Sequence, residues 1–298
     1  MRILITGANG LLGYKLVQLL ASKGDVITIA TARKKPADLP AGIQFAELDI
    51  TNKAQTLSVV AAAKPNVVIH AAAMTQVDQC ETEREKCWSA NVHGVENIIQ
   101  ACSQTNAHLI HVSTDFIFDG TYGPLDETAI PNPVNYYGES KLAGEKLIQE
   151  SKINWAILRT VLVYGVTPDM SRSNIVLWVK KSLEEGKTIN VVNDQWRTPT
   201  LAEDLAMGCF LAASKKAKGI YHISGSEMLT PFEIANQTAD YFNLNKPLIK
   251  PADSSTFTQP AKRPPKTGFI IAKAQRELGY APHTFTEGLG VLAAQLRR

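Results

Sequence analysis

Short apolar runs rich in β-branched residues alternate with segments of helical periodicity through the first half of the chain. The runs occupy 2–6, 26–31, 43–48, 67–70, 108–113 and 155–159. Helical patterns lie between several of them, at 14–20, 84–103 and from 137 onward. Strands that alternate with helices over this length predict an α/β fold with a parallel, doubly wound sheet of the Rossmann type.

A glycine-containing turn joins the first predicted strand to the first predicted helix. Glycine permits a tight turn and close backbone approach, and the free N–H groups at the helix start face a pyrophosphate. In this strand–turn–helix context the pattern predicts a dinucleotide-binding site, although a plain strand-to-helix turn is the alternative. The predicted contacts are Gly7, Asn9, Gly10, Leu11, Leu12 and Gly13.

The end of the second predicted strand bears on the choice of dinucleotide. An acidic residue expected there for the ribose hydroxyls of NADH is missing, and Thr31-Ala32 is followed by Arg33-Lys34-Lys35. A cationic cluster with Arg33 suits a 2′-phosphate and favours NADPH, while NADH stays possible. The alternative is a basic loop in solvent.

Polar and small residues follow the next strands. Asp49 and Ile50 are predicted to hold the adenine, with the Asp49 carboxylate at its amino group and Ile50 against the ring.

Ala71, Ala72 and Ala73 leave room for a ligand at the carboxyl end of the strand at 67–70. His70 lies inside that strand run, which favours a hydrogen-bonded core histidine over a catalytic base.

Two further segments are predicted to lie beside the ligand. Asn91 stands among apolar neighbours, so it must be paired when buried, and it is placed to pin a backbone or a water next to the active site. The loop that contains Thr75 and Val77 is expected near the substrate in this architecture.

The candidate chemistry lies at Tyr137 and Lys141, four residues apart on a predicted helix. Side chains at i and i+4 share one face, so a phenol and an ammonium can address one small volume. A nearby cation lowers the pKa of a tyrosine and makes it a candidate general acid or base. Thr114, at the end of a predicted strand, is placed to add a hydroxyl. By itself this spacing more often marks a solvated helix face.

After residue 164 the pattern is less regular, with several prolines near the end. We predict a dinucleotide-binding domain over 1–164 plus roughly 191–225. A smaller, irregular α/β substrate-binding lobe is predicted over roughly 165–190 and 226–298. Ligands are expected where the two parts meet.

Composition excludes some classes of function. The 298 residues are 45% hydrophobic and 20% charged, which is ordinary for a globular enzyme. A net charge of +3 is too small to indicate nucleic acid or membrane as a partner. The four cysteines form no Cys-x-x-Cys pair, so buried thiols, no metal site and a reducing cytoplasm are expected. No signal peptide or membrane span is expected either.

These residues carry a family resemblance. The chain resembles the extended short-chain dehydrogenases/reductases, and within them it is most similar to the dTDP-4-dehydrorhamnose reductases. The resemblance covers nearly the whole length. Its segments are 6–13, 71–78, 113–120, 137–145, Pro199-Thr200 and Arg263-Pro264.

The resemblance implies hydride transfer from NAD(P)H to C4 of a 4-keto-6-deoxy sugar on a nucleotide carrier. Tyr137 would protonate the developing alkoxide, and Lys141 would lower the pKa of Tyr137 and hold the nicotinamide ribose. Thr114 would bind the keto oxygen and Asp115 the sugar. Related dehydratases carry Asp-Glu after the threonine, whereas Phe116 follows Asp115 here, so net dehydration is not predicted.

Two arginines are further candidates for substrate binding. Arg197 stands where the family has a small residue, and it is interpreted either as a ligand for an anionic group or as a surface arginine. Arg263 is the other candidate.

We also expect that the chain can form a homodimer.

Two other functions stay open. The chain also resembles the β subunit of methionine adenosyltransferase, which keeps the fold and binds NADP as a non-catalytic partner of another enzyme. A reductase or epimerase of another nucleotide sugar is the third possibility.

Overall fold

The computed structural model describes residues 1–168 and 174–297. In chain order the strands of this described part are β1 (Arg2–Thr6), β2 (Ile27–Ala32), β3 (Gln44–Glu47), β4 (Val67–His70), β5 (His108–Thr114), β6 (Trp155–Thr160), β7 (Val163–Tyr164), β8 (Ile189–Val192), β9 (Thr200–Leu201), β10 (Gly219–His222) and β11 (Ile249–Ala252). Within the described ranges, seven of them form a sheet in the order β10-β6-β5-β4-β1-β2-β3, and its neighbours pair in parallel. The doubly wound parallel sheet predicted from the sequence is therefore confirmed.

Helices cover both faces of this sheet. They are α1 (Leu11–Ala21), α2 (Lys53–Ala63), α3 (Val77–Thr82), α4 (Arg84–Trp88), α5 (Gly94–Thr105), α6 (Tyr136–Glu150), α7 (Ile175–Glu184), α8 (Ala202–Ser214), α9 (Pro231–Tyr241), α10 (Ala272–Leu278) and α11 (Phe285–Leu296). The helix predicted at 84–103 is divided by a π-helical turn, Ser89–His93, between α4 and α5. In the described part of the chain, no helix has the length and apolarity needed to cross a bilayer.

The alternation of side chains along β1 explains the two layers of core. Ile3 and Ile5 belong to one buried cluster, with Leu16 of α1. Leu4 points to the opposite face and joins the other cluster, which includes Ile98 of α5. Successive residues of a strand face opposite sides, so one continuous apolar run buries both faces of the sheet.

The second half of the chain divides its elements between two regions. β10 and α8 return to the large sheet, since β10 pairs with β6 and α8 packs on α1. β8 pairs instead with β11, beneath α7 and α9. These short elements form the smaller, irregular α/β region.

The domain limits at about residue 190 and residue 226 stay a prediction. The first limit falls inside β8, whose four residues all pair with β11. Residues 169–173 of the predicted substrate lobe, and Arg298 at its end, lie outside the described part of the chain.

A buried ion pair fixes α6 against the large sheet. Arg159 of β6 donates from Nη2 to Glu145 Oε2 of α6 at 2.7 Å and from Nε to Oε1 at 3.1 Å. The two side chains are 2% and 0% exposed. An arginine fork that meets a carboxylate at two points sets the orientation of the helix as well as its distance.

We expect Glu145→Gln to lower the free energy of unfolding by about 3 kcal/mol, because it leaves the Arg159 charge buried without its partner. Guanidinium denaturation followed by circular dichroism measures the change. Glu185→Gln removes the same charge from a pair exposed at 39% and 67%, so it should leave the midpoint almost unchanged. Equal midpoints for the two variants would contradict this account of α6.

Candidate active site

The glycine turn closes on backbone at two places. Gly7 has φ +74°, and a Cβ atom there would lie 2.9 Å from the backbone nitrogen of Ala72. A Cβ on Gly13 would lie 2.1 Å from the carbonyl oxygen of Gly7. Gly10 is the N-cap residue of α1, and no side chain caps this end of the helix. The first N–H groups of α1 are thus available to an anion, at a turn that only glycine can form.

The basic loop lies directly beside this turn. Asn9 Nδ2 donates to the carbonyl oxygen of Lys34 at 2.8 Å, and the backbone of Ala8 donates to Thr31 at 3.0 Å. Arg33 is exposed next to these contacts. The two segments predicted to hold a dinucleotide are therefore brought together, with Arg33 on the solvent side.

The strand ends that follow carry the other predicted cofactor contacts. Asp49 Oδ1 accepts from the backbone and the hydroxyl of Thr51, so one carboxylate oxygen is used in a local turn. Ile50 packs against Gly94, where a Cβ would lie 2.7 Å from Ile50 Cδ1. After β4, the backbone of Ala72 donates to Thr6 Oγ1 at 3.1 Å. Ala71 and Ala73, like Ala72, are partly exposed at this edge of the sheet.

Asn91 holds the loop after β4 at two points. Its Oδ1 accepts from the backbone of Met74 at 2.9 Å, and its Nδ2 donates to the Met74 carbonyl at 3.0 Å and to Ser140 Oγ at 3.0 Å. Asn91 is 1% exposed and lies in the π-helical turn. It therefore ties this loop to α6, where Tyr137 and Lys141 are located.

Tyr137 is buried beside Thr114. Burial raises the pKa of the Tyr137 phenol above its ordinary value, and the neighbouring Thr114 hydroxyl opposes that rise. The phenol is 8% exposed and has Phe116 against it, with the ring centroids 5.9 Å apart. A tyrosine in this environment is protonated at neutral pH, as a proton donor must be.

Lys141 is held one turn further along α6. Its Nζ donates to the carbonyl oxygen of Val112 at 2.8 Å and lies 3.2 Å from His111 Nε2. Burial lowers the pKa of this ammonium to about 8, against an opposing effect of Glu145. The predicted effect of Lys141 on the pKa of Tyr137 stays a prediction.

The C-terminal part of the chain closes over Asp115. Thr267 donates a short hydrogen bond to Asp115 Oδ2, and Arg197 Nε lies 3.9 Å from the same oxygen. Burial raises the pKa of the Asp115 carboxyl, although Arg197, Thr267 and Thr114 each oppose it. Thr267 is 152 positions from Asp115 and carries no local signal, so sequence reasoning missed it.

Arg197 is a buried residue, which excludes its interpretation as a surface arginine. Its side chain is 5% exposed. Nη2 donates to the carbonyl of Pro264 at 2.6 Å, and Nη1 donates to that of Pro265 at 3.1 Å. Three of its contacts are thus with the segment 264–267 or with the carboxylate that this segment covers.

Arg263 forms an ion pair with Asp78 of α3. Its Nη2 donates to Asp78 Oδ2 at 2.7 Å, and Asp78 Oδ1 also accepts from the backbone of Ala261. This ion pair joins α3 to a segment 185 residues away. Val77 begins α3 and packs against the buried cluster of Cys80, Cys87 and Tyr137, whereas Thr75 is exposed.

The geometry sorts the predicted site residues into groups. Tyr137, Thr114 and Asp115 meet at the carboxyl end of β5, with Lys141 beneath them. The glycine turn, the basic loop and the strand ends surround the neighbouring edge of the same sheet. Arg197 and Arg263 are both committed to protein partners, so substrate binding by them stays a prediction.

Comparison with known proteins identifies relatives of two kinds. The whole chain, residues 1–298, matches the model of a family described as the RmlD substrate binding domain. A dTDP-4-dehydrorhamnose reductase from Aggregatibacter actinomycetemcomitans is 33% identical over 300 residues, which cover 97% of each protein. The methionine adenosyltransferase 2 subunit beta of Xenopus laevis is 35% identical over 258 residues, which cover 84% of this chain and 75% of that protein.

A solved structure agrees with the first kind of relative. The crystal structure of a dTDP-4-dehydrorhamnose reductase from Bacillus anthracis in complex with NADP has a TM-score of 0.84 and 31% identity, and 99% of each chain is covered. The resemblance to this family inferred from the sequence motifs is confirmed.

We expect Gly13→Ala to lower Tm and to weaken NADPH binding by at least about tenfold, because the new methyl group would force α1 away from the Gly7 carbonyl. Gly24→Ala is the matched control, since a Cβ at Gly24 meets nothing within 4 Å. Differential scanning fluorimetry and NADPH fluorescence titration measure both effects. Unchanged affinity in Gly13→Ala would show that the turn does not hold the dinucleotide.

Proposed function

We propose that this chain, which belongs to the RmlD substrate binding domain family, reduces the 4-keto group of a nucleotide-linked 6-deoxy sugar with NADPH. The observation that carries the proposal is the burial of Tyr137 and Thr114 side by side at the carboxyl end of β5. Thr114 Oγ1 donates to Asp115 Oδ1 at 3.1 Å, and the ring of Phe116, the next residue, lies 5.9 Å from that of Tyr137. In open α/β sheets this edge is where ligands bind. A protonated phenol and a hydroxyl side by side suit a carbonyl oxygen that becomes an alcohol.

The residues present fit a dinucleotide. A side chain at Gly7 or Gly13 would fill the space that the turn leaves, and the start of α1 offers N–H groups to the pyrophosphate. Arg33 lies in solvent beside Asn9, within the basic loop, where a 2′-phosphate would add charge-assisted hydrogen bonds. The bound dinucleotide supplies the hydride.

The protein's own contribution is to position and to protonate. Thr114 orients the carbonyl oxygen by its hydroxyl, and Tyr137 donates the proton that the oxygen takes up. Lys141 places a positive charge near both, which favours the developing alkoxide. Asp115 is held by Thr267 and Arg197 in a fixed orientation toward the sugar.

A second function has a specific observation in its favour. The relative named methionine adenosyltransferase 2 subunit beta is 35% identical to this chain, slightly more than the reductase relative. The reductase relative, however, is covered over 97% of its length, against 75% for that subunit. Together with the buried Tyr137–Thr114 pair, this favours the reductase.

The test is NADPH oxidation at 340 nm with dTDP-4-keto-6-deoxy-L-mannose and with other 4-ketosugar nucleotides. Turnover with any of them supports the proposal. Tight NADPH binding without turnover on the whole set would support a regulatory subunit instead.

Tyr137→Phe should reduce kcat by about 10²-fold or more, because it removes the general acid, and should leave NADPH affinity within about twofold. The neighbouring Tyr136→Phe is the control, since Tyr136 packs against Trp88 and Arg84 on the outer side of α6. Steady-state kinetics and fluorescence titration separate the two effects. Undiminished turnover in Tyr137→Phe would remove the acid from the mechanism.

Arg33→Ala should raise KM for NADPH by about tenfold and leave KM for NADH unchanged, because only the first dinucleotide has a 2′-phosphate to pair with the guanidinium. Lys152→Ala removes one exposed positive charge at a distant place in the sequence, and it controls for the effect of net charge on the binding of an anionic dinucleotide. Parallel KM measurements with both dinucleotides decide the matter. Equal increases for the two would eliminate the phosphate contact.

A further inference from the structure

A row of polar side chains crosses the core of the sheet next to the candidate active site. Thr6 of β1, His70 of β4 and His111 of β5 are direct neighbours in the parallel register. Paired residues of adjacent strands point to the same face, so the three side chains form a line. None is more than 1% exposed. Buried core positions of this kind ordinarily take apolar residues.

The contacts along the row lead to Lys141. Thr6 Oγ1 lies 2.7 Å from His70 Nδ1, and the centroids of the His70 and His111 rings are 5.3 Å apart. His111 Nε2 is 3.2 Å from Lys141 Nζ. The row thus begins beneath the glycine turn and ends at the ammonium of α6.

The chemistry of an ammonium fixes the state of His111. Lys141 has only donors, so a hydrogen bond to His111 requires an unprotonated Nε2. The imidazole must then be neutral and carry its proton on Nδ1, an atom that has no hydrogen-bond partner in the described part of the chain. Burial, the Lys141 charge and His70 all lower the pKa of His111, which keeps the ring neutral.

We propose that His111 is a positioning residue, whose Nε2 atom accepts a hydrogen bond from Lys141 and fixes the direction of the ammonium. With Val112 as the second acceptor, two of the three N–H groups are held by protein. One N–H group remains for a ligand. This inference rests on the proposed function, in which that third donor serves the dinucleotide and the reacting oxygen.

Several charged and titratable groups surround Lys141, and each can be compared with His111 as the residue that orients the ammonium. Glu145 faces it from the same helix and Cys87 from α4, and both stabilise the positive charge over a distance. Glu145 is itself held by Arg159. His70 lies behind His111, and Tyr137 lies one helical turn before Lys141 on α6. Of these groups, His111 is the one whose side chain lies within hydrogen-bond distance of Lys141 Nζ in the described part of the chain, at 3.2 Å.

The row is unfavourable for stability, which supports a functional reason for it. His70 Nε2 and His111 Nδ1 are both buried without a partner among the described residues. Each unpaired buried donor or acceptor lowers stability, because it has lost its hydrogen bonds to water without gaining others. Local rules of this kind are broken mainly at functional sites.

The first test uses the unmodified protein and needs no turnover. Nitrogen-15 NMR of histidine-labelled protein should show His111 as the neutral tautomer with a proton on Nδ1 and none on Nε2. The opposite tautomer, or a protonated ring at neutral pH, would overturn the proposal.

The second test compares His111→Leu, which removes the acceptor, with His111→Gln, which keeps one. His108→Leu is the control, since it removes another buried imidazole from the far end of β5. In His111→Leu we expect the pKa of Lys141, about 8 in the native protein, to fall, because the ammonium loses an acceptor. Lysine-labelled carbon-13 NMR measures it. His111→Gln and His108→Leu should resemble the native protein.

The third readout is catalytic. His111→Leu should lower kcat by about tenfold to a hundredfold with little change in KM for the ketosugar. A small displacement of the Lys141 ammonium from its position beside the reacting oxygen is enough to slow the reaction by this factor. Equal kcat and an unchanged Lys141 pKa in His111→Leu would overturn the role of His111. Absence of turnover in the native protein would count against the proposed function alone, because the two NMR measurements still decide the role of His111.

Discussion

Close backbone contact at Gly7 and Gly13, which is possible because neither residue has a side chain, is the constraint on which the rest of this site depends. At Gly7 the turn touches the backbone of Ala72, and at Gly13 the helix touches the carbonyl of Gly7. These contacts place the ends of β1 and β4 and the start of α1 in one small region. Any larger residue would separate them, and the polar groups that converge there would lose their common centre.

Burial then determines the acid–base character of the groups around that centre. It raises the pKa of Tyr137 and of Asp115, and it lowers that of Lys141. All three shifts favour the uncharged form, as expected where water is excluded. Thr114 and Arg197 act in the opposite sense on their neighbours, Tyr137 and Asp115. As a result, Tyr137 keeps its proton at neutral pH, and the pKa of Lys141, about 8, lies close to neutral pH.

The sequence predicted the large sheet well because its signals are local. The apolar runs, the glycine turn and the Tyr137–Lys141 spacing each lie within one strand or one helical turn. Short elements such as α3, α10 and β11 escaped prediction, because they contain too few residues for a period to appear.

The partners of the site residues were beyond the reach of local patterns. Nothing near Asp115 indicates Thr267, and nothing near Asp78 indicates Arg263, since both contacts depend on how distant segments pack. The hydrogen bonds of Arg197 to Pro264 and Pro265 show the same limit. From the sequence alone, a single arginine in a loop cannot be distinguished from a surface arginine. Its burial becomes evident only when the fold places the Asp115 carboxylate and two backbone carbonyls around it.

The long-range clasp of Asp78 by Arg263 has a consequence for biogenesis. The large sheet needs β10, which ends at His222, whereas Thr267, which donates to Asp115, is added more than forty positions later. Phe269, Ile271 and Leu278 belong to the core cluster beside the large sheet, so this core also stays incomplete until the last segment has been synthesised. A chain that ends before Arg263 would lack the Asp78–Arg263 ion pair, Thr267 and part of the core, so the candidate site and the packing of the sheet are completed by the same late segment.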